Sequence, residues 1–479
     1  MGVRSALASR STLVLDVVRT RLWPVPAMGI AIAICAGVAL PELDRALDDR
    51  LTATASDYTG SDYLFGGGAD AARDVLTAVS SSLITVTSLT FSLTLVTLQL
   101  ASGQFSPRLL RTFARDRFVQ WTLALFLATF VYALTVLRSV RNDGPGQREF
   151  VPKVSVTVAY LLAVLCVITL VLFLAHLVRQ IRVETLLDTV RHDAMTAAGS
   201  LLRDSDDEAD GDGGRGSGGG ALPVAPPEAL DVCAPATGFL AHVDGQGVLA
   251  AAAEAHAVVV VHRMPGEWIV EGTPIARAWS ARGTGRLDSE AAQRLVRCVA
   301  DAVYTADERT PIQDVGYGLR QLTDVAVKSL SPGINDPTTA VHVLGHSAVV
   351  LCELSDHRLG PVRLTADETR DTLVVLSRPA MADLLDLAVS APRRYGSSDP
   401  DLLAAILALL RDLAWRCHRD GDREAVAAQL ERVRRTAGQQ DFDDSERAGL
   451  RALGRAVEEA LQGRWAVGPN GDSNGEPER

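Results

Sequence analysis

The sequence predicts an α-helical membrane domain with about four transmembrane helices, followed by a mixed α/β cytoplasmic region with a small β-sandwich-like module and a helical C-terminal part. Three observations carry this. Apolar runs crowd into the first 180 of 479 residues and charges into the remainder. The mean hydropathy of +0.14 beside 22% charged residues therefore averages two unlike parts. Four of the apolar runs are long enough to cross a hydrocarbon layer about 30 Å thick as helices. Beyond them, residues 232–279 change to short β-prone runs separated by Gly and Pro turns.

The first span, LWPVPAMGIAIAICAGVAL at 22–40, follows Arg4, Arg10, Arg19 and Arg21, the setting of a signal peptide. The run is long for a signal segment, and PELDRALDD offers no small-residue cleavage site. It reads as an uncleaved helix with Pro24 and Pro26 in its first turn, where missing amide donors cost little. The second span covers about 76–101, the third (VQWTLALFLATFVYALTVL) 119–137, and the fourth (VSVTVAYLLAVLCVITLVLFLAHLV) 154–178. SGQFSPRLLRTFARDR, between spans two and three, holds four arginines, whereas residues 42–75 hold eight acidic residues against three arginines. Placing basic segments inside puts both termini in the cytoplasm, although Arg138, Arg141, Arg148 and Lys153 then lie outside.

Within span two, SSSLITVTSLTFSLTLVT at 80–97 carries a hydroxyl at nearly every second or third residue. Ser81, Thr85, Ser88 and Ser92 share one helical face that Gln99 continues, and Thr87, Thr90, Thr94 and Thr97 are expected to form an adjoining stripe. Two readings stand. Small hydroxyl residues bond back to the preceding turn and let membrane helices pack closely. Alternatively, several copies of this helix line an aqueous or ion path, which predicts a homo-oligomer in the lipid bilayer. Spans two to four contain no Asp, Glu, Lys or Arg, which favours a passive channel over a proton-coupled transporter. Arg108, Arg111 and Arg115 follow span two and are candidates for a pore mouth, slightly favouring anions as the transported small ion, or for contacts to anionic lipid.

Composition narrows the partners further. A net charge of −11 argues against nucleic acid. Six scattered cysteines without a CxxC pair suit a reducing cytoplasmic domain and suggest no zinc site or disulfide scaffold. No cofactor is implied. Residues 232–279 lack the lysine that a swinging prosthetic group needs, and the chain has no phosphate loop, nucleotide fingerprint or GxSxG elbow.

The expected organisation is a membrane domain over 1–180, a helical extension over 181–204, and an acidic Gly/Pro-rich linker over 205–228. A small β-rich module over 229–282, a helical domain over 283–465 and a disordered tail over 466–479 complete it. The module reads as strand, helix near Gly247–Ala255, strand 257–262, turn, strand 268–270, turn, strand. Helices are expected from Ile312 to Leu330 and from Thr338 to Leu354, divided by SPGINDP. Asp307, Asp314 and Asp336 are the carboxylates on which a hydrolase could be built, and His342 and His346 lie one turn apart without the Glu of an HExxH motif. RLTADETRDTLVVLSRPAMADLLDLAVSAPRRYG reads as helical, and HRDGDRE around Arg419 as a solvated turn.

Three stretches carry a family resemblance: FSLTLVTLQLASGQFSPRLLR at 91–111, GEWIVEGTPIA at 266–276, and DERTPIQDVGYGLRQLTDVAVKSLSPGINDPTTAV at 307–341. Through them the chain resembles the DUF2254 family of predicted bacterial membrane proteins over almost its whole length. The resemblance implies a bacterial inner-membrane protein with a cytoplasmic part, and it implies no catalytic residues. Pro107 is expected to end or turn span two, and Pro332, Asn335 and Asp336 are candidates for a junction at which the SPGINDP turn docks beneath that exit. The leading expectation is an oligomeric inner-membrane channel or transport protein with span two along its path. The alternative is a membrane-anchored scaffold or signalling protein with no transported substrate.

Overall fold

The structure, a computed structural model, describes residues 23–53, 65–104, 116–141, 150–180, 183–210, 223–282, 286–366 and 369–465. Pro107, Arg108, Arg111 and Arg115, most of the Gly-rich stretch and the tail from 466 onward lie outside these residues. The chain divides into one unit over Leu7–Arg182 and a second built chiefly from Val183–Arg479.

The first unit consists of α1 (Pro24–Ala53), α2 (Ala69–Gln104), α3 (Arg117–Leu137) and α4 (Lys153–Gln180). All four contain apolar stretches long enough to cross a membrane. Helix α3 is the hub. Its apolar window is 56% buried, against 17%, 28% and 17% for α1, α2 and α4. It packs on all three others, with Phe126, Tyr132, Ala133 and Val136 among its enclosed residues. The approach to α1 is close because small residues meet there: Gly29 lies over Ala124, and a Cβ on Gly37 would come within 2.8 Å of Thr135.

One end of the bundle is fastened by an acid. Asp44 of α1 is buried and accepts from the Val154 and Ser155 amides, at 3.1 and 3.0 Å, and from the Ser155 hydroxyl at 2.7 Å. It thereby satisfies orphan donors at the start of α4, a cap supplied by another helix. Tyr132 of α3 donates to the Ser155 carbonyl at 3.1 Å, so three helices meet at this point.

The second unit begins with α5 (Val183–Asp210). Leu186, Leu187, Val190 and Ala194 recur at helical spacing and are buried, each large side chain contributing roughly 1.5–3 kcal/mol by leaving water. Next come β1 (Leu230–Cys233), β2 (Gly238–Val243), α6 (Gly245–Glu254), β3 (Ala257–Val261), β4 (Trp268–Ile269) and β5 (Pro274–Ser280). They are followed by α7 (Ser289–Asp301), β6 (Val303–Ala306), α8 (Tyr317–Ser329), α9 (Pro337–Ser355), β7 (Val362–Ala366) and β8 (Thr369–Leu376). Helices α10 (Met381–Tyr395), α11 (Pro400–Arg416), α12 (Asp420–Gly438) and α13 (Asp444–Leu461) close the unit.

The strands form two sheets, ordered β1-β5-β3-β8-β7 and β4-β2-β6. Among the described strands only the β3–β8 pairing is parallel, with Val259 opposite Val374. Val232, Leu240, Val259, Ile269, Ile275, Leu295, Val299 and Val374 share one core with α6 and α7.

Three expectations are corrected here. The β-rich module does not close within 229–282, because β2 pairs with β6 and β3 with β8, both farther along the chain. The stretch RLTADETRDTLVVL is not helical but forms the antiparallel β7–β8 pair, whose β-branched run TLVVL fills the sheet beside β3. The segment from Ile312 also enters its helix late, at Tyr317.

Candidate functional site

Helix α2 resolves its hydroxyl residues into two stripes, and they are not adjoining. Ser81 and Thr90 are nine positions apart, which at about 100° per residue places them on opposite sides of the helix. Burial follows the same division. Thr87, Thr90, Thr94 and Thr97 are buried with Leu76, Ser80 and Leu83, while Ser81, Thr85, Ser88, Ser92 and Gln99 are exposed. The buried stripe is a packing face: the Thr87, Thr94 and Thr97 hydroxyls donate to carbonyls one turn back at 2.7–2.9 Å.

The exposed stripe differs in chemistry. Ser81 and Thr85 bond back to Ala78 and Ser81, both at 3.2 Å. Among the described residues, Ser88, Ser92 and Gln99 show no such side-chain partner. Ile84 and Leu95 flank the stripe on one side and Leu89 and Val96 on the other, all exposed. The result is a narrow polar seam with apolar shoulders, running along a helix whose opposite face holds the bundle together.

At the end where α2 finishes and α3 begins lies a pair absent from the expectations above. Asp116 caps α3, accepting from the Phe118 amide at 2.8 Å through Oδ1. Its Oδ2 lies 2.7 Å from Nε2 of His176 on α4. The carboxylate is 10% exposed and the imidazole 30%, and the Phe118 ring is tilted against the imidazole at 4.7 Å between centroids. FLAHLV places this histidine inside span four, where the sequence alone gives it no partner.

The two landmarks of the family resemblance that lie in the second unit meet in space. Gly266, at φ +88°, presents its backbone to the Arg309–Asp314 ion pair, and a Cβ there would lie 2.3 Å from the Asp314 carboxylate and 2.7 Å from the Arg309 guanidinium. Asp314 also accepts from the Gly316 amide at 3.1 Å. Burial pushes the Asp314 carboxyl up, with Arg309 and the Gly316 N–H opposing that push. Gln313 pairs both ways with the Val243 backbone, at 2.9 and 3.2 Å, and so extends β2 by a side chain. GEW and DERTPIQDVGYG are thus parts of one buried joint.

The remaining candidates have equally definite places. Asn335 adopts a left-handed φ of +50°, and Asp336 caps α9 by accepting from the Thr339 amide at 3.1 Å and hydroxyl at 2.6 Å, with Pro337 in the first turn. These bonds hold the Asp336 carboxyl below the usual range. Pro332, Gly333, Ile334 and Asn335 form an exposed tip. Asp307 is exposed, so the three carboxylates have three different environments. His342 Nδ1 lies 3.7 Å from Glu184 of α5, and burial, reinforced by Arg191, pushes His346 down. Among the described residues no three His, Cys, Asp or Glu side chains gather as a metal site. Arg419 lies in the exposed connection between α11 and α12, as expected, and its guanidinium also donates to the Ser355 and His357 carbonyls, at 2.9 and 2.7 Å, closing the end of α9.

Comparison with known proteins gives the family. The DUF2254 predicted membrane protein model matches residues 19–412. The chain belongs to the DUF2254 family. An uncharacterised protein of Mycobacterium tuberculosis strain H37Rv is 35% identical over 461 residues, covering 95% of this chain and 83% of the relative. An uncharacterised protein of Mycobacterium bovis matches with the same identity and the same coverage of both chains. No solved structure matches. This DUF2254 member is therefore a membrane protein with four candidate spans, and its matched region takes in α1 to α4 as well as the Gly266–Asp314 joint.

Proposed function

We propose that the protein is an oligomeric inner-membrane channel or transport protein, with both termini cytoplasmic and the exposed seam of α2 along the path. The observation that supports this reading is the seam itself. Ser81, Thr85, Ser88, Ser92 and Gln99 point away from the packing face of α2. In hydrocarbon, polar groups without partners are costly, and the seam of one chain supplies no partner for Ser88, Ser92 or Gln99 among the described residues. Copies arranged around an axis place these groups against water and one another, while Ile84, Leu89, Leu95 and Val96 pack on the neighbours.

Conductance of the purified protein in planar bilayers, with oligomeric mass determined on the same preparation, tests the reading. Ser88→Leu with Ser92→Leu is expected to abolish flux while the oligomer persists, because two isobutyl groups dry the seam. A double mutant that assembles and conducts normally removes α2 from the path. A monomer or dimer without currents supports the membrane-anchored scaffold instead. The seam carries no formal charge, so in this reading selectivity arises at its end, where Arg108, Arg111 and Arg115 follow and anions are slightly favoured. Arg108→Glu is expected to move the reversal potential toward cation preference, and an unchanged potential counts against that mouth.

A further inference from the structure

Helices α10 and α12 end side by side with more positive charge than their own acids neutralise. We propose that these paired ends bind a phosphoryl oxyanion through Arg393, Arg394 and Arg435, with Arg432 adding charge beside them. The site belongs to the second unit alone and does not depend on whether α2 lines a path.

The sequence sets the excess. Over 386–395 and 429–438 the two helices carry Arg393, Arg394, Arg432, Arg434 and Arg435 against the acids Asp386 and Glu431. Contacts across the pair fix its direction. Asp386 Oδ1 accepts from Gln429 at 3.0 Å and from Arg432 at 2.6 Å, and Arg393 donates to the Thr436 hydroxyl at 2.6 Å. The helices therefore run the same way, and their last turns lie together. Each C-terminal end supplies about half a negative charge, which offsets roughly one of the three positive charges in excess.

Both acids are already engaged. Asp386 Oδ1 also accepts from the Ser390 hydroxyl at 2.6 Å, and Glu431 accepts from Arg434, which bonds Glu458 of α13 as well. Arg393 Nε is buried without a hydrogen-bond partner, a donor that an oxyanion would satisfy. Arg394 and Arg435 are exposed. Arg394 Nε is directed to the Ser390 carbonyl of its own helix at 3.4 Å, and Arg435 shows no ion-pair partner among the described residues. Burial, then the guanidinium groups of Arg432 and Arg394, push Arg393 down, and Asp386 opposes them. The cluster thus lacks a counter-charge. Planar guanidinium forks take oxyanions through paired N–H bonds, and a phosphoryl group offers several strong acceptor oxygens on one compact anion.

Isothermal titration of the full-length protein in neutral detergent, with ionic strength held constant by chloride, tests the site with inorganic phosphate. Wild type is expected to bind at a saturable site. Arg393→Gln with Arg435→Gln should weaken that binding roughly tenfold or more, the value of a charged hydrogen bond. Arg434→Gln removes a charge from the same helix, but from a guanidinium already bonded to Glu431 and Glu458, and affinity should stay within about twofold of wild type. If the double mutant fails to fold, the exposed substitution Arg394→Gln should still weaken binding roughly threefold. Glycerophosphoglycerol, the deacylated headgroup of phosphatidylglycerol, is titrated in parallel. Tighter binding of this probe assigns the site to a lipid headgroup, and tighter binding of inorganic phosphate assigns it to a free anion. No saturable binding of either probe, wild-type affinity in the arginine variants, or an equal loss in Arg434→Gln overturns the proposal.

Discussion

Replacing Arg309 by Met should destabilise the second unit by about 3–5 kcal/mol, the cost of leaving a buried carboxylate without its hydrogen-bonded cation. Asp314 is 5% exposed and is held between the Arg309 guanidinium and the Gly316 amide. Removing the guanidinium leaves the carboxylate charged in a low-dielectric site, with only the Gly316 N–H and the charge of Arg320 to oppose its burial, or drives it to take up a proton. The double substitution Arg309→Met with Asp314→Leu removes both charges and should recover most of the loss, since apolar isosteres of buried pairs are often neutral. Denaturant unfolding of the full-length protein in detergent, followed by the fluorescence of Trp268 near this joint, checks both. A single-mutant loss below about 1 kcal/mol would place the pair in the class of weak surface ion pairs and sink the argument.

The same joint shows what was legible in the sequence. Four spans could be read because a membrane helix announces itself by length and apolarity alone, and α1, α3 and α4 start within two residues of the expected positions. The helix near 247, the strand at 257 and the turn before Trp268 were equally visible, because Gly and Pro punctuate them. What could not be read is pairing across sequence distance. Nothing local in AVVVV says that its partner is TLVVL more than a hundred residues later, so β8 was absorbed into a helical stretch that truly begins at Met381. The β-branched content of TLVVL and the stop at Pro379 mark the boundary between strand and helix. The α2 seam is legible as a periodicity, but the Thr stripe does not adjoin it: nine residues make two and a half turns, which places the stripes opposite each other rather than side by side. His176 was missed because a lone histidine in an apolar run carries no signal until the Asp116 cap is placed beside it.

Gly318→Ala is expected to loosen α5 from the body of the second unit. A Cβ on Gly318 would stand 2.1 Å from the Ala194 Cβ and 3.0 Å from its Cα, a contact that no rotamer can relieve because both atoms are fixed to backbone. Helices α5 and α8 must therefore separate, or α5 must rotate and lift Leu187 and Val190 from their buried positions. Overpacking of this kind costs about 1–3 kcal/mol, enough to raise the opening of α5 by one to two orders of magnitude. Amide exchange over residues 186–194 in the full-length protein reads that opening directly, and Ala194→Gly in the same chain should restore protection by returning the lost space. Unchanged exchange in Gly318→Ala would mean that α5 is held by α9 alone, through contacts such as His342 with Glu184. Since α5 opens the second unit, this docking fixes the start of that unit on its own helices. Rescue by the small residue on the opposite helix, rather than loss alone, is what would identify backbone proximity as the cause.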